Sequence, residues 1–225
     1  MNPTLTTLIP PAAEARATPG VRTRRPQTVP GHVALVNGAA RETAALASVI
    51  SAAIEHGVEC LSLCFAENAV AEFLRNGGEA FVRDGVHVTV QDGCSAELRE
   101  LSARLPALPA RESLLRLHLL VDVSGELEVS QALQRLAWKV QRGELAPDAL
   151  TREALERELD TDGLPPVDLL LHAANAPRLS RTLLWKAAYA ELFFSATPWS
   201  RFGREDFRQA LADYAQRRRT FGGLK

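Results

Sequence analysis

Short apolar runs alternate with amphipathic stretches along most of this chain. The apolar runs cover residues 32–36, 58–65, 86–90, 114–123 and 167–171. Short runs of this kind, bounded by turn-forming residues and lacking strict polar alternation, are typical of strands that are covered on both faces of a sheet.

Between these runs, apolar residues recur every three or four positions, which is the spacing of one helix face. The helices predicted from this spacing cover residues 43–56, 69–76, 96–105, 130–142, 151–159, 181–194 and 205–218. Gly57 is placed to end the first of these helices, and Thr151 is placed to cap the start of the fifth.

The repeated succession of strand and helix predicts an α/β fold with a mostly parallel central sheet covered by helices. In sheets of this kind, ligands bind beyond the carboxyl ends of the strands. We therefore expect functional residues in the segments just after Val36, Phe65, Val123 and Leu171.

Residues 1–29 differ in composition from the rest of the 225-residue chain. Prolines are frequent there, Arg22, Arg24 and Arg25 are close together, and no periodicity is sustained. Such a segment buries little, so we expect a mobile tail whose arginines are either solvated or in contact with an anionic surface. The remaining residues, 30–225, are then expected to form a single domain.

The charge and cysteine content exclude several classes of protein. The 26 basic and 27 acidic residues give a formal net charge of -1, so no overall field attracts nucleic acid, and an anion site has to be local. Cys60, Cys64 and Cys94 lack the spacing of a zinc site and are an odd number for a disulfide framework, which favours the cytoplasm. No apolar run reaches the ~18 residues of a bilayer span, and no signal peptide is expected.

The most specific motifs lie in the last sixty residues. They are Pro-Val-Asp-Leu-Leu-Leu-His-Ala-Ala-Asn-Ala-Pro-Arg-Leu-Ser at 166–180, Trp-Lys-Ala-Ala-Tyr-Ala-Glu at 185–191 and Arg-Arg-Arg-Thr-Phe-Gly-Gly at 217–223. This part of the chain resembles the cis-prenyltransferases, the undecaprenyl diphosphate synthase family, which lengthen allylic diphosphates with isopentenyl diphosphate. The resemblance implies the fold of that family and a dimer formed through the C-terminal helices.

The turn after the first strand carries a changed form of a family motif. Asn37-Gly-Ala-Ala-Arg41 stands where the family has Asp-Gly-Asn-Gly-Arg, whose aspartate serves the magnesium diphosphate. The resemblance places Asn37 at this catalytic position and assigns Gly38 and Arg41 to diphosphate contacts. An amide is a poorer ligand for Mg²⁺ than a carboxylate, and losing metal assistance weakens stabilisation of the departing diphosphate. The alternative interpretation is an ordinary turn between a strand and a helix.

In the C-terminal motifs, the resemblance places His172 where the family has an arginine that binds isopentenyl diphosphate. It assigns Arg178 and Ser180 to the same diphosphate and Glu191 to the metal. Arginine donates two parallel hydrogen bonds to a phosphate, whereas a neutral imidazole gives at most one strong contact. The alternatives are a surface loop containing Arg178 and Ser180, and a solvated charge at Glu191.

Other family features are shortened or altered. Only residues 42–56 precede the second strand, where the family has a longer lobe that grips the allylic diphosphate. Glu126 replaces a family arginine, and Thr220 replaces the arginine of a tail that completes the neighbouring subunit's site. His32 and His118 lie in apolar runs, so we expect them to be core histidines with satisfied hydrogen bonds.

Two functional hypotheses follow. In the first, the chain is a degenerate, non-catalytic subunit that pairs with an intact cis-prenyltransferase in a hetero-oligomeric polyprenyl diphosphate synthase, similar to Nogo-B receptor type subunits. In the second, it is an active prenyltransferase, or an enzyme that rearranges a prenyl diphosphate, with an altered acceptor. Both imply an isoprenyl diphosphate ligand, a homodimer or heterodimer, and Mg²⁺ held weakly or jointly with a partner subunit, and both leave peripheral membrane contact open. A third alternative is an α/β binding module with neither role.

Overall fold

The computed structural model describes residues 28–36, 44–76, 78–91, 95–121, 124–173 and 183–221. Residues 1–27, which make up nearly all of the predicted tail, lie outside these ranges.

Six strands form one parallel sheet in the part of the chain that the structure describes. They are β1 (His32–Val36), β2 (Cys60–Phe65), β3 (Val86–Val90), β4 (Leu115–Val121), β5 (Leu169–His172) and β6 (Glu191–Phe194). Their order in the sheet is β3-β4-β2-β1-β5-β6, and every neighbouring pair is parallel. The predicted α/β fold with a parallel central sheet is confirmed, and each apolar run overlaps a strand, with β5 ending one residue beyond its run.

The described residues also form seven α-helices. They are α1 (Ala44–Glu55), α2 (Glu67–Asn76), α3 (Gly78–Arg83), α4 (Ala96–Ala103), α5 (Gly125–Gln141), α6 (Arg152–Glu158) and α7 (Arg204–Gln216). Gly57 has a φ of 73° just after α1, as expected for a glycine that ends a helix. The Thr151 hydroxyl accepts a hydrogen bond from the Ala154 amide at 3.2 Å, which confirms the predicted cap of α6. None of the helices in the described ranges has the length and apolar content needed to span a bilayer.

The prediction of a helix over residues 181–194 is wrong in its described part. Residues 183–189 form turns, with Leu183 at a φ of 57°, and Glu191–Phe194 pairs with β5 as the edge strand β6. The aromatic residues of this segment suit a pleated, half-buried surface. Residues 191–194 therefore form a strand because they pair with β5, although their local apolar spacing also fits a helix.

Two further elements differ from the predicted pattern. The helix α5 begins at Gly125 rather than at residue 130, and α3 was not predicted. The six residues of α3 are fewer than two turns, so the hydrophobic periodicity of that segment is too short to detect.

One face of the sheet carries the main apolar core. Its strand residues alternate along β1, β2, β4 and β5, and they include Val33, Leu35, Leu61, Leu63, Leu117 and Leu169. The helices α1 and α7 contribute Val49, Ile50, Phe207 and Leu211 to the same cluster. Each such buried side chain contributes roughly 1.5–3 kcal/mol, so this face supplies most of the hydrophobic stabilisation.

The opposite face of the sheet combines a smaller apolar cluster with buried polar groups. His32 donates from Nδ1 to the Pro165 carbonyl at 2.8 Å, and this leaves Nε2 to accept from the Ser62 hydroxyl at 2.8 Å. His32 is therefore a core histidine with both nitrogens bonded, as predicted. His118 bonds through Nδ1 to Thr89, but its Nε2 has no partner within the described ranges. The prediction holds for only one nitrogen of His118.

Candidate functional site

The order of the strands places a topological switch point between β1 and β5. From β1 the chain adds β2, β3 and β4 on one side of the sheet, and then crosses to add β5 and β6 on the other side. Ligands of parallel α/β folds bind at such a point, in the crevice outside the carboxyl ends of the strands. Val36 and His172 are register partners at these two strand ends. The candidate site is therefore the carboxyl edge of the sheet beside this pair.

Five of the predicted site residues come after these two strand ends in the sequence. They are Asn37, Gly38 and Arg41 after β1, and Arg178 and Ser180 after β5, and all five lie outside the described residues. Their roles at the site stay predictions.

His172 is described, and its side chain is packed inside the protein. The residue is 3% exposed, and its ring stacks on Phe194 with the centroids 5.1 Å apart and the planes at 19°. Burial lowers the pKa of the imidazole, so the ring is neutral near pH 7. Its Nε2 atom has no hydrogen-bond partner among the described residues. A neutral ring offers a phosphate one hydrogen bond at most, in place of the two that arginine donates.

Glu191 lies at the amino-terminal edge of the sheet, whereas His172 lies at the carboxyl edge. Glu191 is the first residue of β6 and the register partner of Leu169, whereas His172 aligns with the last residue of that strand. Three residues of strand separate the two levels, which corresponds to about 10 Å. The Glu191 carboxylate forms a salt bridge with Arg217 Nη1 at 3.2 Å. Within one chain Glu191 and His172 are therefore not brought together, and the metal role of Glu191 stays a prediction.

The described residues contain no group of three or more His, Cys, Asp or Glu side chains placed to hold a metal ion. Cys60 and Cys64 are both in β2 and buried. Burial raises the pKa of each thiol to about 12, so both stay protonated near pH 7 and are poor ligands or nucleophiles.

Glu128, in the acidic segment after β4, has a structural role. The residue is 2% exposed, and its Oε1 accepts hydrogen bonds from the Thr161 amide at 2.9 Å and the Thr161 hydroxyl at 2.7 Å. This clamp ties α5 to the segment that follows α6. Because Glu128 is enclosed, it is not available to a ligand at the carboxyl edge.

A hydrogen-bonded frame holds the chain beyond β6 against the carboxyl edge. The Ser195 amide donates to the His172 carbonyl at 2.8 Å. Asp206 accepts from the Thr197 hydroxyl at 2.6 Å and from the Gly203 amide at 3.0 Å, which fixes the start of α7. These contacts were not predicted from the sequence, although an acidic residue three positions after an N-cap, here Asp206 after Gly203, is a recognisable helix-start signal.

At the amino-terminal edge, Asp168 joins three parts of the chain. Its carboxylate accepts from the amides of Gly31 at 2.9 Å and His32 at 3.1 Å, and it forms an ion pair with Arg219. The Arg219 guanidinium also donates to the Tyr189 carbonyl at 3.1 Å. The C-terminal arginines Arg217 and Arg219 are thus engaged within their own chain.

Comparison with known proteins gives a family match over most of the chain. Residues 65–222 match the model of the family described as putative undecaprenyl diphosphate synthase. The match includes β2 only at its last residue and leaves out β1 with the segment that contains Asn37. The part of the predicted site that follows β5 therefore lies inside the matched region, and the part that follows β1 lies outside it.

Curated relatives align with somewhat more than half of the chain. An isoprenyl transferase from Rhodopirellula baltica is 38% identical over 130 residues, which are 58% of this chain and 53% of the relative. The ditrans,polycis-undecaprenyl-diphosphate synthase of Escherichia coli K12 is 37% identical over 131 residues, which are 58% of this chain and 52% of that enzyme. The chain thus spans about half the length of the curated relatives it matches.

Solved structures share the fold over a larger fraction of the chain. The lavandulyl diphosphate synthase of Lavandula x intermedia, determined with dimethylallyl diphosphate, superposes with a TM-score of 0.74 and covers 87% of this chain and 99% of its own, at 23% identity. A probable undecaprenyl diphosphate synthase from Campylobacter jejuni superposes with a TM-score of 0.68 and covers 85% and 98%, at 24% identity. At these identities the likeness concerns the fold, and the family assignment comes from the sequence match. On that match, which covers more than half of its residues, this chain belongs to the undecaprenyl diphosphate synthase family of prenyltransferases.

Proposed function

We propose that this chain acts in isoprenyl diphosphate metabolism as a subunit of a hetero-oligomeric polyprenyl diphosphate synthase, beside an intact member of its family. The observation that carries the proposal is His172, which is buried, neutral and stacked on Phe194 at the carboxyl edge. The resemblance implies a diphosphate-binding arginine at this position. A chain with a weakened diphosphate grip depends on a partner for efficient prenyl transfer.

The short connection between β1 and β2 also supports a non-catalytic role. In its described part, this connection forms the 12-residue helix α1, and the chain reaches β2 five residues after Glu55. Val49 and Ile50 of α1 are fully buried in the main core. The described part of this connection is therefore committed to packing rather than to a lobe around an allylic diphosphate.

The described residues do not fit a complete magnesium site at the carboxyl edge. Mg²⁺ takes oxygen ligands in near-octahedral geometry, whereas His172 offers an imidazole and Glu191 is bound to Arg217 at the other edge. Asn37, at the family's aspartate position, offers an amide. In the assembly that we propose, Mg²⁺ is held weakly by this chain or jointly with a partner subunit.

The edge strand β6 supports association with a second chain. Among the described strands β6 is the last on its side of the sheet, so one row of its backbone groups is not paired within the sheet, although the Leu192 carbonyl accepts a hydrogen bond from Arg217 Nη1 at 2.8 Å. Phe194 in this strand is 44% exposed, and Leu184 before it is 50% exposed. Large apolar side chains beside an open strand edge favour a protein contact. We place the assembly in the cytoplasm, with peripheral membrane contact limited to its lipid ligand.

Co-expression with an intact cis-prenyltransferase from the same genome tests the subunit proposal. We expect the tagged chain to retain the enzyme on an affinity column, and Phe194→Asp to reduce the retained enzyme roughly tenfold, as for an interface anchor. Leu114→Asp is the matched control, because Leu114 is 64% exposed and directly precedes β4, which is separated from β6 by three strands of the sheet. Circular dichroism verifies that both variants fold. A wild-type chain that elutes alone, and leaves the enzyme's product length and rate unchanged, contradicts the proposal.

The second candidate function is prenyl transfer by this chain itself, with an altered acceptor, or rearrangement of a prenyl diphosphate. It is supported by Arg178 and Ser180, which match family positions, and by relatives that are named as an isoprenyl transferase and as a synthase. Incubation of the purified chain with Mg²⁺ and C5 to C15 prenyl diphosphates tests it. Release of diphosphate that Arg178→Ala abolishes supports this function, and no release with any substrate rejects it.

A further inference from the structure

A large cleft opens at the amino-terminal edge of the sheet, away from the candidate site. Its volume is about 830 Å³, within the range of small-molecule sites. One wall is the segment 162–168 that leads into β5, and the other walls come from α6, from the turns before β6 and from the C-terminal residues Arg219 and Phe221. The candidate site lies at the carboxyl ends of the same strands, so the two regions are on opposite edges of the sheet.

Aromatic and apolar side chains form much of the cleft surface. Trp185, Tyr189 and Phe221 line it, together with Leu164 and two prolines. Tyr189 is 59% exposed and Phe221 is 42% exposed. Large aromatic side chains that remain exposed around a concave surface favour binding of an apolar group.

The same cleft carries an excess of positive charge. Arg219 is paired with Asp168, and Arg152 with Glu156 at 2.9 Å. Arg116 and Lys186 also line the cleft without a salt bridge in the described part of the chain, and the Lys186 charge acts on the Glu156 carboxylate. Over the whole lining, four cations (Arg116, Arg152, Lys186 and Arg219) stand against three carboxylates (Glu156, Asp162 and Asp168). This balance favours a negatively charged ligand.

A smaller and more polar hollow continues from this cleft across the sheet face. Its volume is about 400 Å³, and it shares Arg116 and the segment 162–164 with the larger cleft. His87, Thr89 and His118 line its far side. Arg116 therefore stands between an aromatic compartment and a polar one, which is the arrangement that an amphiphilic molecule requires.

We propose that this amino-terminal cleft binds a medium-chain organic anion, with its hydrocarbon against Trp185, Tyr189 and Phe221 and its carboxylate or phosphate head group paired with Arg116 and Lys186. The site is separate from the carboxyl edge and does not depend on the proposed subunit role.

Titration of the full chain with decyl phosphate and with decanoate, each below its micelle concentration, tests the site. The quenching of tryptophan fluorescence, to which Trp185 in the cleft contributes, and isothermal calorimetry both report binding. Loss of one charge-assisted contact typically weakens binding about tenfold, so Lys186→Ala and Arg116→Ala are each expected to do so. Tyr189→Ala is expected to weaken binding of both probes by removing apolar contact. Arg83→Ala is the matched control, because Arg83 is an exposed arginine on α3 that does not line the cleft.

Two further probes and one further variant distinguish binding of an amphiphilic anion in the cleft from binding of charge or chain alone and from binding at the carboxyl edge. Inorganic phosphate carries the charge without a hydrocarbon chain, and decyl maltoside carries the chain without a charge. If either of them binds as tightly as decyl phosphate, the cleft does not recognise an amphiphilic anion and the proposal is overturned. An affinity that falls with Arg178→Ala but not with Lys186→Ala assigns the ligand to the carboxyl edge and overturns the second site. Absence of binding by both decyl phosphate and decanoate also overturns it. Binding of either probe that weakens with Lys186→Ala and Tyr189→Ala, and not with Arg83→Ala, supports the proposal.

Discussion

Asp168 and Arg219 form an ion pair that fastens the C-terminal end of the described chain to the start of the central strands. The two side chains are 7% and 13% exposed, and Asp168 also accepts hydrogen bonds from the amides of Gly31 and His32. Arg219 lies over the Phe221 ring at 4.2 Å from its centroid. The contact therefore holds β1, β5 and the chain end after α7 in one arrangement.

Breaking this ion pair is expected to destabilise the fold. Asp168→Ala leaves the Arg219 charge enclosed and removes the acceptor for two amides, so we expect the free energy of unfolding to fall by about 3 kcal/mol. Urea unfolding measures this loss. The double variant, which also carries Arg219→Ala, should cost less than the sum of the single variants, because the two residues are coupled. Additive losses would contradict a direct contact. Arg208→Ala, in an exposed pair with Glu205, is the control and should leave the unfolding midpoint unchanged.

His32 is expected to make stability depend on pH. Burial lowers its pKa from 6.5 to about 4 in the folded chain, so the unfolded chain binds more protons between these values. Stability is therefore highest above pH 6.5 and is lost as the pH falls towards 4, by about 3 kcal/mol from this residue. Urea unfolding at pH 7 and pH 4.5 measures the difference. His32→Asn should reduce the loss, whereas His56→Asn, at an exposed position after α1, should leave it unchanged. If the His32 variant loses as much stability between pH 7 and pH 4.5 as the wild-type chain, other groups cause the loss of stability in acid.

Glu128 is expected to act through its hydrogen bonds rather than through its charge. Glu128→Gln keeps an oxygen that can accept from the Thr161 amide and hydroxyl, and it places an NH2 group where the buried Oε2 has no hydrogen-bond partner among the described residues. Glu128→Ala leaves both donors without an acceptor, which typically costs about 1–3 kcal/mol. Thermal unfolding should therefore show a clear fall in Tm for the alanine variant and a smaller change for the glutamine variant. Equal losses would show that the charge itself is required.

Local sequence pattern was sufficient for most of the fold. The apolar runs located β1 to β5, and the Thr151 and Gly57 signals located helix ends, because these features depend on neighbours in the sequence. The strand β6 was assigned to a helix, since its four residues also fit a helical spacing and only pairing with β5 distinguishes the two.

The sequence indicates which residues belong to the candidate site better than it indicates where those residues lie relative to one another. The motif identified His172 and Glu191, but the burial of His172 and the positions of the two residues at opposite ends of the paired strands β5 and β6 depend on tertiary packing. Asp168 lies inside an apolar run, and nothing in its local pattern indicates that it meets an arginine 51 residues later. Long-range ion pairs of this kind have no signature in a single sequence.

The rate of isopentenyl diphosphate incorporation decides whether this chain is a non-catalytic subunit. Purified chain is assayed alone, and then mixed in equal amount with an intact cis-prenyltransferase from the same genome. For a non-catalytic subunit we expect incorporation by the chain alone at least roughly a thousandfold below that of the intact enzyme, since loss of metal and arginine contacts would together remove several kcal/mol of transition-state stabilisation. We also expect the mixture to differ from the intact enzyme in rate or product length. Incorporation by the chain alone at a rate similar to that of the intact enzyme would contradict the account.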